Sequence, residues 1–306
     1  MHFSATKHFL FGIDNMRETV VALGFFDGVH IGHAKILKTA VALAKEKGCA
    51  SAACTFDVHP RAFVRGVAPA MLTTLEQRCE LIKTQGIEQV AVLEFTEKMA
   101  AMTPCEFATL LKEKYNCKYA VCGKNFRFGY KAQGTPESLE NYGITAVICE
   151  HVLEGGETVS STRIRKLLTD GDAVYATRLL GRPYSLCGKV VDGFKLGRRL
   201  GRPTMNLRPE NGLLIPHNGV YAARVQIDGK TFDAITNIGT RPTFSNDDII
   251  SVESHIINFD RDIYGKAASV ELIEKVRDER AFSSETELLS QIDKDIEKTE
   301  EILKRG

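Results

Sequence analysis

Four short stretches up to residue 165 carry chemically suggestive side chains, two of them suited to handling phosphate. "GFFDGVHIGH" (residues 24–33) follows an apolar run from Thr19 to Leu23 and spaces His30 and His33 as H-x-G-H. Gly32 lets the backbone approach a ligand where a helix begins, and a helix start offers unpaired N–H groups and partial positive charge. Two imidazoles at this spacing can project to one side and donate hydrogen bonds to phosphate oxygens. "SSTRIR" (160–165) adds hydroxyls at a second helix start, with Arg163 and Arg165 behind them. A guanidinium grips a leaving pyrophosphate through two parallel hydrogen bonds. "TFDVHP" (55–60) and "GKNFRFG" (123–129) also fall just beyond apolar runs. Taken singly these strings have plainer readings. H-x-G-H also suits a turn or a metal pair, although no third ligand at motif spacing accompanies it for zinc, and Ser160-Ser161-Thr162 suits a helix N-cap. Neither a P-loop nor a G-x-G-x-x-G fingerprint occurs.

A second group lies further on. "GKVVDGFKLGRRLGRPTMN" (188–206) sets Gly193, Gly197 and Gly201 among cations, including Lys195. Glycines at that density allow a backbone loop to wrap phosphates. Thr204 and Asn206 offer a hydroxyl and an amide oxygen, hard ligands for magnesium on a nucleotide. Glu253 in "SVESHI" sits mid-strand and reads either as part of a solvated sheet face or as a general base. Arg277 and Arg280 in "VRDERAF" read by themselves as surface charges.

The elements that must position these residues follow from periodicity. Strands are expected over Thr19–Phe25, Ala50–Phe56, Gln89–Phe95, Lys118–Gly123 and Ile144–His151. Between them lie helical patterns. Ala34–Lys47 ends at Gly48, and Thr74-x-x-Gln77 and Thr103-Pro104-x-Glu106 read as capping boxes. Strands separated by helices predict a parallel sheet, and ligands of such sheets bind outside the carboxyl ends of the strands. All four chemically suggestive strings fall there. After "GRPYSL" (181–186) short strands and turn pairs such as Asp228-Gly229 predict an antiparallel barrel or sandwich. A last helix opens at Ser284-x-x-Glu287, with Leu288, Leu289, Ile292, Ile296 and Leu303 as its packing stripe. The domain boundary is expected near Pro183, giving domains of residues 1–183 and 184–306.

Composition bounds the partners. The 306 residues are 43% hydrophobic and 26% charged, and 40 Lys+Arg against 39 Asp+Glu leave a formal charge of +1. That balance gives no electrostatic basis for a long nucleic-acid footprint, so anions must be caught by local groups. No uncharged apolar run nears the ~20 residues that span a bilayer, and the first residues lack a signal peptide's order. Eight cysteines without a C-x-x-C pair read as buried reduced thiols. The expectation is a cytoplasmic protein acting on small molecules, with neither a nucleic-acid nor a membrane partner; the sequence sets no oligomeric state.

"GFFDGVHIGH", "TFDVHP", "GKNFRFG" and "VSSTRIRKLL", in that order, resemble the adenylyltransferase half of bacterial bifunctional FAD synthetases. "GxxLGxPTxN", "NIGTRPTF", "VESHIINFDRDIYG" and "VRDERAF" resemble the riboflavin kinase module of the same family. The resemblance runs from roughly Glu18 to Asp295. It implies an α/β protein: an N-terminal Rossmann-like nucleotidyltransferase domain with a parallel sheet, and a C-terminal Greek-key β-barrel kinase domain ending in a helix. It implies phosphorylation of riboflavin to FMN with Mg-ATP, then adenylylation of FMN to FAD with release of pyrophosphate. In the first domain it places His30, His33, Ser161, Thr162 and Arg165 on ATP phosphates, Phe25 and Gly32 near the nucleotide, and Phe56, Asn125, Phe126 and Arg127 at FMN. In the second it places Thr204 and Asn206 on magnesium and ATP, Lys195 and Gly201 near the phosphates, Glu253 as base for the ribityl hydroxyl, and Arg277 near the flavin. Val58 stands where related strings often carry proline, and Arg202 where they often carry an aromatic residue. The alternatives are a single-activity FMN adenylyltransferase and a flavin-sensing protein without turnover; retention of Thr204, Asn206 and Glu253 speaks against the sensor.

Overall fold

A computed structural model of the chain describes residues 17–192, 203–241, 249–259 and 261–305, with the side chains of 63–65, 241 and 249 outside the description. The chain divides into two compact units between Ser160 and Ser161.

In the first unit, β1 (Thr19–Leu23), β2 (Ala50–Phe56), β3 (Gln89–Leu93), β4 (Cys117–Gly123) and β5 (Thr145–Cys149) form a parallel sheet in the order β3-β2-β1-β4-β5. The connections run outward from β1 on one side and from β4 on the other. The crevice between β1 and β4 is therefore the switch point at which such sheets bind ligands. The helices are α1 (Ile31–Lys47), α2 (Pro60–Arg65), α3 (Leu75–Thr84), α4 (Glu97–Ala101) and α5 (Pro104–Tyr115). Alternation along the strands feeds two cores. Val21, Leu23, Ala52 and Cys54 pack with Phe107 and Leu111 of α5. Val20, Ala22 and Ala53 pack with Leu37 and Ala40 of α1 and with Cys79 and Ile82 of α3. A sheet covered on both faces favours apolar residues on both sides of its strands, which is why the central β1 reads as an unbroken run from Val20 to Leu23. Each fully buried Leu, Ile or Phe contributes about 1.5–3 kcal/mol.

Local signals were followed closely. Gly48 ends α1 in the left-handed conformation (φ 69°), and both capping boxes are reciprocal. α1 starts at Ile31, ahead of the expected Ala34, because His30 serves as its N-cap. All eight cysteines are unpaired; burial pushes the thiols of Cys54 and Cys122 up to about 12. A hairpin, β6 (Leu153–Glu154) and β7 (Glu157–Thr158), ends this unit.

The second unit opens with α6 (Ser161–Thr169) and α7 (Ala173–Leu180). Its strands are β8 (Tyr184–Val191), β9 (Met205–Pro209), β10 (Gly219–Ile227), β11 (Lys230–Arg241), β12 (Ile249–Ile256) and β13 (Ala267–Arg277). They close a barrel in the order β10-β11-β12-β9-β8-β13, with antiparallel neighbours throughout. The meander β10-β11-β12 with β9 returning beside β12 is a Greek key. Asp228 and Gly229 take φ of 50° and 73°, the hairpin turn expected of that pair. α7 packs against β8 and β13, so these two helices go with the barrel unit rather than with the sheet.

The chain ends in α8 (Glu285–Lys304), N-capped by Ser284 as expected. Its buried face differs from the expected stripe. Ile302 and Leu303, with Ile296, pack on Val220, Ala222, Ile235 and Val276. Leu288, Leu289 and Ile292 are only half-buried, while the polar Asp295 and Thr299 are enclosed. The barrel surface under α8 presents Arg277 there, and a carboxylate answers it. Among the described residues no helix is long and apolar enough to cross a membrane.

Candidate functional sites

The loop from β1 into α1 is a tightly specified piece of backbone. Phe26 and Val29 hold positive φ (58° and 38°), and for the β-branched Val29 that is a strained conformation. The strain is held by Asp27, which is buried. Its carboxylate accepts from the Leu72 N–H (3.0 Å), the Thr73 N–H (3.2 Å) and the Thr73 hydroxyl (3.1 Å). Thr73 Oγ1 also accepts from the Gly28 N–H at 3.2 Å.

At the end of this loop the two histidines stack, ring centroids 3.6 Å apart and planes 16° apart. His30 Nδ1 accepts the N–H of His33 at 3.2 Å, so the His30 proton sits on Nε2. Gly32 has a reason beyond ligand approach: a Cβ there would lie 3.1 Å from the His30 ring, obstructing its fold-back over the helix start. The His33 ring is half-exposed, but its Nδ1 is enclosed and has no hydrogen-bond partner. Burial first, then His30, then Arg78 hold the His33 pKa well below its ordinary 6.5. His33 is thus held neutral at the N-terminus of α1, where anions bind.

The loops after β2 and β4 lie at the same carboxyl edge of the parallel sheet. Arg78, on α3, donates to the carbonyls of Phe25 (3.3 Å) and Phe56 (2.6 Å), joining the ends of β1 and β2. Phe25 lies under the Arg78 guanidinium (4.2 Å) and beside the His59 ring (4.6 Å). His59 caps α2 by accepting from the Arg61 N–H. Val58, where related strings often carry proline, donates its N–H to Asp57 Oδ1 at 2.7 Å, and the same oxygen takes the Phe95 N–H at 2.9 Å. Hydrogen bonds thereby stiffen the turn that a proline ring would otherwise stiffen. Beyond β4, Asn125 and Arg127 are exposed and Phe126 is half-buried, stacked toward Phe128 at 5.9 Å. Asn125 Oδ1 meets His151 Nε2 at 3.0 Å, and Arg127 folds onto the Phe126 and Lys124 carbonyls. Ser161, Thr162 and Arg165 open α6 in the second unit, where Arg163 donates to the Tyr175 hydroxyl at 3.0 Å. Asp27, Thr73, Arg78, His59 and His151 were not singled out from sequence.

The barrel site is built differently. Along β12, Val252 and Ser254 face the interior, which leaves Ser251 and Glu253 on the outer face. Register places Glu253 opposite Asn206 of β9 on one side and Asn237 of β11 on the other. Directly paired residues have Cβ atoms about 4.5–5.5 Å apart, so a carboxylate and two amides share one short row. The Ser251 hydroxyl donates to Glu253 Oε1 at 2.8 Å. His255 Nδ1 lies 2.9 Å from the Pro203 carbonyl, next to Thr204. Glu279 closes the row, accepting from Asn237 Nδ2 at 3.3 Å; a Cβ at Gly239 would collide with its carboxylate. Arg277 is committed to α8: Nε and Nη2 both lie 2.8 Å from Asp295 Oδ2, and Gln291 donates to Asp295 Oδ1 at 2.7 Å. Lys195, Gly201 and Arg202 lie outside the described residues. Asn237, Glu279, Ser251 and Asp295 are additions to the sequence reading.

A five-stranded parallel sheet with H-x-G-H at its switch point defines a nucleotide-binding α/β unit, here coupled to a closed Greek-key barrel with a carboxylate–amide row on its wall. Residues 13–163 match the FAD synthetase family model and residues 180–303 the riboflavin kinase model. The bifunctional riboflavin kinase/FMN adenylyltransferase of Bacillus subtilis is 36% identical over 291 residues, 92% of each chain. That of Escherichia coli K12 is 33% identical, covering 93% of this chain and 94% of its own. A crystal structure described as a macrolide-efflux protein from Streptococcus pneumoniae superposes with a TM-score of 0.88 at 31% identity, over 94% of this chain and 95% of that one. The chain belongs to the family of bifunctional riboflavin kinases/FMN adenylyltransferases.

Proposed function

We propose that the chain makes FAD from riboflavin in two ATP-dependent steps, each on its own domain. The observation that carries the reading is the stacked histidine pair at the start of α1, at the switch point of the sheet, accompanied by a separate barrel row centred on Glu253.

In the kinase step Glu253 takes the proton of the ribityl 5′-hydroxyl as that oxygen attacks the γ-phosphorus of ATP; the new O–P bond forms and ADP leaves with the electron pair of the broken bond. Ser251 and the flanking amides of Asn206 and Asn237 hold the carboxylate's surroundings in register. Among the described residues no group of three or more His, Cys, Asp or Glu is arranged to hold a metal. The oxygen donors Thr204 and Asn206 would hold a magnesium ion that arrives on the nucleotide. When bound, that ion neutralises the charge that builds up on the phosphates. Lys195 and Gly201 are assigned to the same phosphates. Arg277 is assigned to the flavin's surroundings, with its guanidinium fixed by Asp295.

In the adenylyltransfer step a phosphate oxygen of FMN attacks the α-phosphorus of a second ATP, and the bond to the bridging oxygen breaks to release pyrophosphate. No proton need be taken from the nucleophile, so the protein's task is alignment and charge stabilisation. His30 and His33 donate to the triphosphate, Gly32 and Phe25 border the nucleotide, and Ser161, Thr162 and Arg165 take the leaving phosphates. Phe56, Asn125, Phe126 and Arg127 receive the FMN. We keep the functional boundary at residue 183. A reducing, cytoplasmic setting suits the eight unpaired cysteines.

The test is direct. The purified chain incubated with riboflavin, ATP and magnesium is followed by chromatography, and FMN then FAD are expected. FMN without FAD would leave only the kinase, and no product would favour a flavin-binding protein without turnover.

A further inference from the structure

α3 buries an arginine. Leu75, Cys79 and Ile82 make the inward stripe of this helix, and Arg78 interrupts it with a side chain that is 1% exposed. A charge in that position is retained only where its environment answers it, and an apolar residue of similar size is often no less stable. Here the answer comes from one small region: the carbonyls of Phe25 and Phe56, the face of the Phe25 ring, and the nearby Asp27 carboxylate. Nε has no partner at all. The side chain is therefore not saturated by the fold, and everything it does touch belongs to the strand ends and loops of the adenylyltransferase site.

We propose that Arg78 is a positioning residue for adenylyl transfer, joining the ends of β1 and β2 and holding a fixed positive charge within Coulomb reach of His33. The inference rests on the assignment of that pair to the ATP phosphates. Two consequences follow from the geometry. The fork from Arg78 to Phe25 O and Phe56 O sets the distance between a residue assigned to ATP and one assigned to FMN, and so the alignment of nucleophile and phosphorus. The guanidinium, which does not lose its proton in proteins, also supplies a preorganised field that His33 need not supply by becoming charged. The groups facing His33 are His30, stacked upon it, and Arg78. Those facing Arg78 are Asp27 and Asp57 from the two loops and Glu76 and Cys79 of its own helix.

The experiment uses the full-length chain and the substitutions Arg78→Met and Arg78→Lys, with His33→Ala as reference. Three quantities are measured: FAD formation from supplied FMN, riboflavin phosphorylation in the same preparation, and the NMR titration of the His33 imidazole, identified by its loss in His33→Ala. Arg78→Met is expected to lower kcat for FAD formation about 10–100-fold, with KM for ATP changed less and the kinase unchanged. It is expected to raise the His33 pKa, because a positive charge has been removed. Arg78→Lys keeps the charge and loses the fork, so kcat falls while the titration stays near that of the native chain. A reduced kcat with an unmoved His33 titration in Arg78→Met, or native kcat in Arg78→Lys, overturns the proposal. Should Arg78→Met fail to fold, Arg78→Lys decides by its kcat. Survival of FAD formation in His33→Ala would sink the site assignment itself; its loss there, with native behaviour in both Arg78 variants, would sink only this inference.

Discussion

In the first unit the candidate site is made at the ends of strands, in the second on the side of one. Loops must be forced into place, and the β1–α1 loop shows how: positive φ at Phe26 and Val29, a buried carboxylate at Asp27 and a buried guanidinium at Arg78. A strand needs none of this. Cross-strand register alone sets Glu253 between Asn206 and Asn237, and the ladder that fixes it is also the barrel's scaffold. On the roles proposed above, the two solutions suit two tasks. Adenylyl transfer between two large phosphate-bearing substrates calls for donors converging from several loops, whereas removing one proton from an alcohol calls for one carboxylate held still.

The largest effect that would test this contrast is expected for Glu253→Gln, which should lower riboflavin phosphorylation about 10²–10⁴-fold and still convert supplied FMN to FAD. An unchanged kinase rate would remove Glu253 from the base role. His33→Ala should lower FAD formation about 10²–10³-fold with FMN production near native, measured in one coupled assay. Equal loss of both activities would contradict separate sites. Asp295→Ala leaves Arg277 at the α8 interface without its carboxylate and should cost about 3 kcal/mol, seen as a lower Tm of the barrel with FAD formation from FMN retained. Native stability would mean that the pair does not hold α8.

Two smaller effects sharpen the histidine site. Gly32→Ala crowds the His30 ring and should cost about 1 kcal/mol of helix capping, read as a modest loss of stability and weaker ATP use. Acid provides the mildest test. Because His33 in the folded chain holds its proton less tightly than an ordinary histidine at 6.5, the unfolded state binds more protons below that pH. Stability of the first unit should therefore fall as pH drops from about 6.5 toward the depressed folded value, and the fall should be shallower in His33→Ala. Parallel pH profiles for the two proteins would show that His33 does not titrate as described.

The strings were legible where the chemistry is local. H-x-G-H at a helix start, both capping boxes and the Asp228-Gly229 turn depend on neighbours a few residues away, and each formed as read. Arg78 was not legible, because a lone arginine in an amphipathic helix reads as solvated; the one signal was its place between Leu75 and Ile82 on the inward stripe. Asp27 stood inside the quoted motif, yet its partners at residues 72 and 73 come from another loop. The α8 stripe was legible only in part: Ile296 and Leu303 pack as read, but apolar spacing gives no hint that a barrel arginine waits beneath Asp295.

The order of strands and helices, their caps and turns, and the residue types able to handle phosphate are properties of short segments, and the sequence by itself determined them. Which of those residues share a site was decided only by the fold. Glu253 could equally have lain on a solvated face until β-sheet register set it between two asparagines, and His33 could have been charged until burial, a stacked ring and Arg78 acted on it together. The physical reason is range: backbone conformation answers to neighbours in sequence, whereas desolvation and Coulomb fields answer to neighbours in space.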